Sequence, residues 1–185
     1  MIIDKDAFSS GQIGSKLWLC EQLEQTTLAS NPITIHLYGG WYGMTAFLLL
    51  SRNNMKIRQV YNYDIDTDSL ENSRLLLNPW HYNNYEFYNA INVDVNTIKF
   101  DTVPDLIINT STEHIQSDAW YRNIPDGTSC VFQSNDMPHD DHFHNVKDDK
   151  QLLELYPLST VWYSGTLSFQ YAEWGFTRSM TIGIK

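Results

Sequence analysis

The segment Ile33–Ser73 constrains the fold of this chain more than any other part of its sequence. The β-rich run Ile33–Tyr38 ends in Gly39-Gly40, an apolar helix follows, and a second strand, Gln59–Tyr63, leads to Asp64. A strand that turns abruptly into a helix needs residues that tolerate positive φ, and the start of the helix offers unpaired N–H groups to a ligand. The segment therefore predicts an α/β unit with a ligand site at its glycine turn.

The rest of the chain continues the alternation of strands and helices. This pattern predicts an α/β, Rossmann-like fold with a mostly parallel sheet of about seven strands, helices on both faces and an antiparallel C-terminal strand. Without repeats or linkers, residues 1–185 are expected to form a single domain with a helical lead-in over 1–32. The predicted helices are Ile13–Leu28, Gly43–Ser51, a segment from Thr67 or Asp68 to Leu77, and Lys147–Tyr156; the further strands are Tyr85–Tyr88, Leu106–Ile108, Ser129–Gln133, Thr160–Phe169 and Thr177–Ile184.

Asp64 follows the second strand at the position where nucleotide-binding folds carry an acid. Such an acid, about 20 residues beyond the glycine loop, accepts hydrogen bonds from both ribose hydroxyls. Asp66 is the other acid of the same turn, and its place at a helix start favours a capping role. A nicotinamide-binding loop would need glycine at the positions of Trp41 and Met44, so a cofactor without a pyrophosphate is favoured.

In sequence order, these segments resemble the motifs of the class I S-adenosylmethionine-dependent methyltransferases. The resemblance extends over roughly Ile13 to Lys185 and includes the terminal strand pair. The matching segments are His36–Gly43 for the first motif, Tyr63–Leu70 for the second, Asn92–Val95 for the third, Pro104–Ser111 for the fourth and Ile124–Gly127 for the turn before the fifth strand.

The resemblance implies S-adenosylmethionine as the cofactor and methyl transfer to a small molecule or a protein side chain. It places Glu113 and His114, just beyond the fourth motif, beside the transferred methyl group as the candidate catalytic residues. The implied cofactor-binding residues are Lys16, Tyr38, Gly39, Gly40, Gly43, Met44, Asp64, Ile65, Asp94, Val95, Asn109 and Ser111.

Two positions depart from the first motif of that family. The usual acid falls on Leu37, and the central glycine falls on Trp41. These departures keep open a non-catalytic subunit that binds S-adenosylmethionine or a nucleotide and supports a partner. A nicotinamide-dependent oxidoreductase is a third, less favoured interpretation, since the Gly-x-Gly-x-x-Gly loop is incomplete.

Three side chains have alternative interpretations. His114 could act as a general base because its pKa lies near working pH, or it could only pack over the cofactor. Glu113 could take part in the same chemistry or cap a helix start. Lys16 could meet the methionine carboxylate, although a solvated helix end is the favoured interpretation.

The segment 135–144 concentrates His139, His142 and His144 among acidic residues. A substrate-facing loop is the first interpretation, because ligands bind beyond the carboxyl ends of strands in open α/β sheets. A solvated loop is the second and a metal site the third, since the histidines match no ligand spacing. We therefore expect no metal site from the sequence.

The net charge of −10 argues against nucleic acid as a partner, because non-specific binding to phosphates depends on Lys and Arg. Cys20 and Cys130 are far apart in apolar surroundings and are predicted to be buried and unpaired. No signal sequence or membrane span is evident, which predicts a cytoplasmic protein with no membrane partner. The Asn- and Tyr-rich, Ala-poor composition is typical of an AT-rich genome such as that of some viruses.

Overall fold

The computed structural model describes residues 3–81 and 87–185. They fall into two compact units with the boundaries Met1–Val95 and Asn96–Lys185. Seven strands and six α-helices lie in the described residues. The expectation of a single domain stays a prediction. Within the same residues, every helix is too short or too polar to traverse a lipid bilayer.

The first unit contains a parallel three-stranded sheet in the order β3-β2-β1. Alternate residues Ile33, Ile35 and Leu37 of β1 are buried, which gives the strand one core-facing side. The register pairs Tyr38 with Tyr63, so both strands end at the same edge as the glycine turn. The strands are β1 (Ile33–Tyr38), β2 (Ile57–Asp64) and β3 (Tyr88–Asn92).

Four helices belong to the first unit, and their caps explain their bounds. The Ser9 hydroxyl accepts a hydrogen bond from the Gln12 amide at the start of α1. Asp66 caps α3 by accepting from the backbone amides of Asp68 and Ser69, which confirms its predicted capping role. The helices are α1 (Ser10–Glu24), α2 (Met44–Arg52), α3 (Thr67–Leu76) and α4 (Asn78–His81).

Sequence predictions and structure differ at several element bounds in this unit. The first helix was expected to reach Leu28, but it ends at Glu24 because Thr27–Ser30 forms a separate 3₁₀ turn. The short helix α4 follows α3 directly, where only a helix stop was expected. For the predicted strand Tyr85–Tyr88, Tyr85 and Glu86 lie outside the described residues, and β3 begins at Tyr88.

The second unit contains four strands in the order β4-β5-β7-β6. β4 and β5 are parallel, and every residue of β4 is buried, as its apolar run predicts. β7 runs antiparallel to both β5 and β6, which confirms the antiparallel C-terminal ending. The elements are β4 (Leu106–Asn109), α5 (Ala119–Arg122), β5 (Ser129–Asn135), α6 (Asp149–Leu155), β6 (Thr160–Gln170) and β7 (Gly175–Ile184).

The core of the second unit is aromatic. Trp120 is fully buried and packs against Phe132 and Tyr156, with ring centroids 5.3 and 4.9 Å away. Cys130 is buried beside this cluster on β5, and Cys20 is buried in α1 of the first unit. Both cysteines are free thiols, as predicted.

Candidate functional site

The loop between β1 and α2 keeps the backbone conformation that a glycine-rich loop would have. Gly39, Trp41 and Gly43 have φ values of 59°, 49° and 73°. A tryptophan in the left-handed region is unusual, because its Cβ crowds the backbone there. The substitution at Trp41 has therefore not removed the turn, and α2 begins after Gly43 without a side-chain cap.

Gly40 is required for a different reason: the Asn62 side chain lies too close to the backbone at this position to leave room for a Cβ. A Cβ at this position would lie 1.7 Å from Oδ1 of Asn62, a fully buried residue of β2. Asn62 Nδ2 donates to the Trp41 carbonyl at 3.3 Å and to the Tyr88 hydroxyl at 2.9 Å. Tyr88 in turn donates to Ser73 Oγ at 2.9 Å. This buried chain of hydrogen bonds therefore stabilises the conformation of the loop.

Sequence reasoning missed Asn62 and Tyr88. The available signal was a polar amide at a core-facing position of β2, between the buried Val60 and the end of the strand. A buried amide must find hydrogen-bond partners, so its position next to a glycine turn pointed to loop support. Burial also raises the pKa of Tyr88 to about 12, which keeps its hydroxyl a donor at neutral pH.

Asp64 ends β2 with its carboxylate against the loop. Oδ2 accepts from the Trp41 amide at 2.7 Å, and Oδ1 accepts from the Asp66 amide at 3.0 Å. Asp66 caps α3, and its hydrogen bond from Ser69 lowers the pKa of its carboxyl. The two acids thus have the different surroundings that the sequence predicted. Each oxygen of Asp64 retains a lone pair for a further donor.

The third motif lies at the same edge of the sheet. Asn92 pairs with Asp64 in the parallel register, and its side chain donates to the carbonyls of Asp64 and Ile65 at 3.1 and 2.8 Å. Ile65 is 74% exposed, which leaves an apolar side chain beside the acid. Asp94 is exposed and Val95 is buried just beyond this point. The structure therefore brings the second and third motifs together.

Three other residues predicted to bind cofactor have buried side chains. Lys16 is buried in the second turn of α1 and donates to Gln12 Oε1 at 2.5 Å, so the expectation of a solvated helix end is wrong. The Tyr38 side chain is buried and meets the Tyr63 ring edge-on at 5.9 Å. Met44 is buried at the first position of α2.

The fourth motif lies in the second unit, where β4 ends at Asn109. Asn109 is fully buried, and its Oδ1 accepts from the Ser111 amide at 3.0 Å. Its Nδ2 has no hydrogen-bond partner among the residues that the structure describes. A 3₁₀ turn, Thr112–His114, follows directly.

Glu113 is deeply buried in this turn, with 1% of its surface exposed. Its Oε1 accepts from Asn135 Nδ2 and from Arg178 Nη1, the latter at 3.4 Å. Arg178 is itself buried and also donates to the Thr110 carbonyl at 3.1 Å. The alternative of a helix cap is wrong for Glu113, because its carboxylate points to β5 and β7 instead of to a helix start.

His114 is more exposed than its neighbour. Its Nδ1 lies 3.2 Å from the carbonyl oxygen of Asp141, and its ring meets that of His142 at 4.6 Å. The packed side of the imidazole is desolvated, which lowers the pKa of His114, although the charge of Glu113 opposes this effect.

The histidine-rich segment folds back onto the same turn. The amide of Phe143 donates to the Glu113 carbonyl at 2.7 Å, and His144 Nε2 bonds to the Gln116 carbonyl at 2.8 Å. The His142 ring faces that of His114 and also lies 5.3 Å from the ring of the exposed His139, which pairs with Asp141. The sequence did not predict that Glu113, His114 and His142 would meet.

Comparisons with known proteins find likeness in structure only. No family model matches the sequence, and no curated protein matches it either. The N-methyltransferase NodS from Bradyrhizobium japonicum, in complex with S-adenosyl-L-homocysteine, is 10% identical, with a TM-score of 0.65 over 93% of this chain and 87% of that one. The same enzyme in its other crystal structure is 13% identical, with a TM-score of 0.65 over 99% and 100%.

A second methyltransferase aligns as completely. The magnesium protoporphyrin IX methyltransferase ChlM from Synechocystis, also with bound S-adenosylhomocysteine, is 10% identical, with a TM-score of 0.66 over 99% of this chain and 88% of that one. The chain thus has the Rossmann-like methyltransferase fold, which confirms the predicted fold class.

Proposed function

We propose that this protein is an S-adenosylmethionine-dependent methyltransferase that acts on a small molecule or a protein side chain. The fold and the order of the four motifs support this function. We assign the ribose to Asp64, the adenine surroundings to Ile65, Asp94 and Val95, and the remaining cofactor contacts to the other residues that the resemblance implies. Those residues are Lys16, Tyr38, Gly39, Gly40, Gly43, Met44, Asn109 and Ser111.

The observation that carries the proposal is the anchored carboxylate of Asp64. Two backbone amides fix its position beside the glycine loop, at 2.7 and 3.0 Å, and leave one lone pair on each oxygen. A cis-diol can donate to both oxygens at once. The exposed Ile65 beside it suits the apolar face of a purine.

We assign the acceptor end of the reaction to Glu113 and His114. The imidazole of His114 is exposed and its Nδ1 faces the Asp141 carbonyl oxygen, so its Nε2 can accept a proton from the acceptor group. Glu113 is a positioning residue, because Asn135 and Arg178 hold its carboxylate next to His114. Methyl transfer then requires in-line placement of the acceptor and the sulfonium.

The acidic composition favours an acceptor other than nucleic acid. We place the protein in the cytoplasm, or in the host cytoplasm if its source is a virus. The histidine-rich segment 135–144 is the candidate for contacts with the acceptor.

Isothermal titration calorimetry of the purified protein with S-adenosylmethionine, S-adenosylhomocysteine and NADH tests the proposal. We expect saturable binding of the first two ligands and none of NADH. Absence of heat and of a thermal shift at millimolar S-adenosylmethionine would contradict it. Preferential binding of NADH would instead support an oxidoreductase.

A further inference from the structure

We propose that Glu113, His114 and His142 bind one divalent transition-metal ion, for which Zn²⁺ is the representative. One carboxylate oxygen and one ring nitrogen from each histidine lie within 4.8 Å of one another. Two imidazoles and one carboxylate form the protein ligands of many catalytic zinc sites and of non-haem iron sites. This inference departs from the expectation of no metal site, which considered only histidines 139, 142 and 144.

The two oxygens of the Glu113 carboxylate differ in their hydrogen bonding. Oε1 of Glu113 accepts from Asn135 and Arg178, whereas its buried Oε2 has no hydrogen-bond partner within residues 3–81 and 87–185. Burying an unpaired carboxylate oxygen costs free energy, which a cation bound at Oε2 would offset. The Arg178 guanidinium lies on the Oε1 side, so it holds the carboxylate without covering the oxygen that is free to coordinate.

The histidines are oriented as metal ligands are. His114 Nδ1 lies 3.2 Å from the Asp141 carbonyl oxygen, and His142 Nδ1 lies 2.8 Å from the Met137 carbonyl oxygen. A carbonyl oxygen can only accept, so each Nδ1 carries the proton and each Nε2 keeps its lone pair. A hydrogen bond from the other ring nitrogen to a carbonyl is the usual outer support of a metal-bound histidine.

The three ligand atoms must move only slightly closer together to bind one ion. Zinc bonds of roughly 2.0–2.2 Å in a tetrahedral site place ligand atoms about 3.3–3.6 Å apart. The widest pair here must therefore close by roughly 1 Å or slightly more. Glu113 is fixed in the core, but His114 is exposed and His142 is half-buried, so the two imidazoles can rotate towards the carboxylate.

The ion would retain at least one open coordination position, because the protein supplies three ligands. Its use in methyl transfer, as a Lewis acid that holds an oxygen or nitrogen of the acceptor, rests on the proposed function. Binding of the ion itself does not. A bound ion would also occupy His114 Nε2, so the proton-accepting role assigned to this residue belongs to the metal-free protein.

Titration calorimetry of tag-free, chelator-treated protein with ZnCl₂, without any S-adenosylmethionine, tests the site. We expect one ion per chain with a micromolar or tighter Kd. H114Q and H142Q should each weaken binding at least tenfold, since loss of outer-shell support alone typically costs about 10–100-fold. H139Q is the control for a histidine of the same loop that is a neighbour of His142 but not a ligand: its exposed ring lies 5.3 Å from that of His142, and its Kd should change by less than threefold.

Two further measurements keep the result independent of folding. Circular dichroism must show native spectra for H114Q and H142Q, whose side chains lie outside the core. Co²⁺ in place of Zn²⁺ should give visible d–d absorption that both variants lose and H139Q keeps. No Zn²⁺ binding by the parent protein, or equal binding by the parent, H114Q and H142Q, would overturn the proposal. Because no cofactor is present, this result is separate from a failure of the methyltransferase assignment.

Discussion

The backbone amide of Trp41 donates a hydrogen bond to Oδ2 of Asp64 across 2.7 Å. The one residue that departs most from a glycine-rich loop thus makes direct contact with the acid that we assign to the ribose. The contact uses only the main chain, so it does not depend on the tryptophan side chain. This hydrogen bond links the loop to the acid, so the departure at Trp41 does not by itself argue against cofactor binding.

We predict that D64N weakens binding of S-adenosylmethionine by about 10–100-fold, because hydrogen bonds to a charged acceptor contribute roughly 1.5–3 kcal/mol. An amide also presents one N–H₂ group to a backbone N–H, either that of Trp41 or that of Asp66. Calorimetry with the cofactor measures the effect. As a control, D68N removes an exposed charge nearby and should bind S-adenosylmethionine as tightly as the parent does. Equal affinity of D64N and the parent for the cofactor would contradict the assignment of Asp64 to the ribose.

Y88F should destabilise the first unit by about 1–3 kcal/mol, because the loss of the hydroxyl removes two buried hydrogen bonds, one with Asn62 and one with Ser73. Urea unfolding followed by circular dichroism gives the free energy of unfolding. Y61F is the control: its hydroxyl bonds to Gln59 in a partly exposed position, so we expect a loss of at most about 1 kcal/mol. A Y88F variant as stable as the parent would show that the buried network does not support the loop.

The pair Glu24–Arg52 predicts a dependence of stability on pH. Arg52 binds the carboxylate through two hydrogen bonds, at 2.6 and 2.8 Å, and these lower the pKa of Glu24 below its usual 4.5. A carboxyl with a lowered pKa in the folded state contributes its stability above the unfolded pKa and loses it as the pH falls through the folded pKa. The parent should therefore be more stable than E24Q at pH 7, with a difference that shrinks below pH 4.5.

Chemical denaturation at a series of pH values tests whether the difference in stability between the parent and E24Q shrinks on acidification. E21Q is the matched control, because Glu21 is exposed on the same helix, and it should change stability little at any pH. A difference between parent and E24Q that grows on acidification would contradict the assignment.

Both cysteines should resist modification in the native protein. Burial raises the pKa of the Cys20 and Cys130 thiols to about 12, so very little reactive thiolate is present near pH 8. A colorimetric disulfide reagent should detect neither thiol in the folded chain and both after unfolding in guanidinium. Fast native reaction of either residue would mean that its part of the core opens readily.

The sequence predicted the structural elements that depend on local residue patterns. β1 was expected at Ile33–Tyr38 and lies there, because alternating β-branched residues before two glycines allow few other structures. β2 extends beyond its prediction by Ile57, Arg58 and Asp64, and β5 by Ser134 and Asn135, since backbone pairing continues beyond the predicted pattern. The order of strands and helices sufficed to predict the fold class.

The sequence pattern could not predict contacts that depend on strand register or on irregular backbone. Asn62 and Tyr88 meet only because β2 and β3 pair in one register, and no local signal fixes that register. The approach of His142 to Glu113 depends on how the segment 136–148 folds back, which follows from individual hydrogen bonds and not from periodicity. The buried position of Lys16 likewise reflects tertiary packing that overrides the polarity of the residue.

The 1.7 Å separation between Asn62 Oδ1 and a hypothetical Cβ on Gly40 also limits how this loop can evolve. Alanine at position 40 becomes sterically possible only after position 62 has given up its long side chain, and that change first removes two hydrogen bonds, one to the Trp41 carbonyl in the loop and one to Tyr88. The order of the two substitutions is therefore constrained, and intermediates in the opposite order would fold poorly. Relatives that carry a side chain at position 40 should be found with a small residue at position 62.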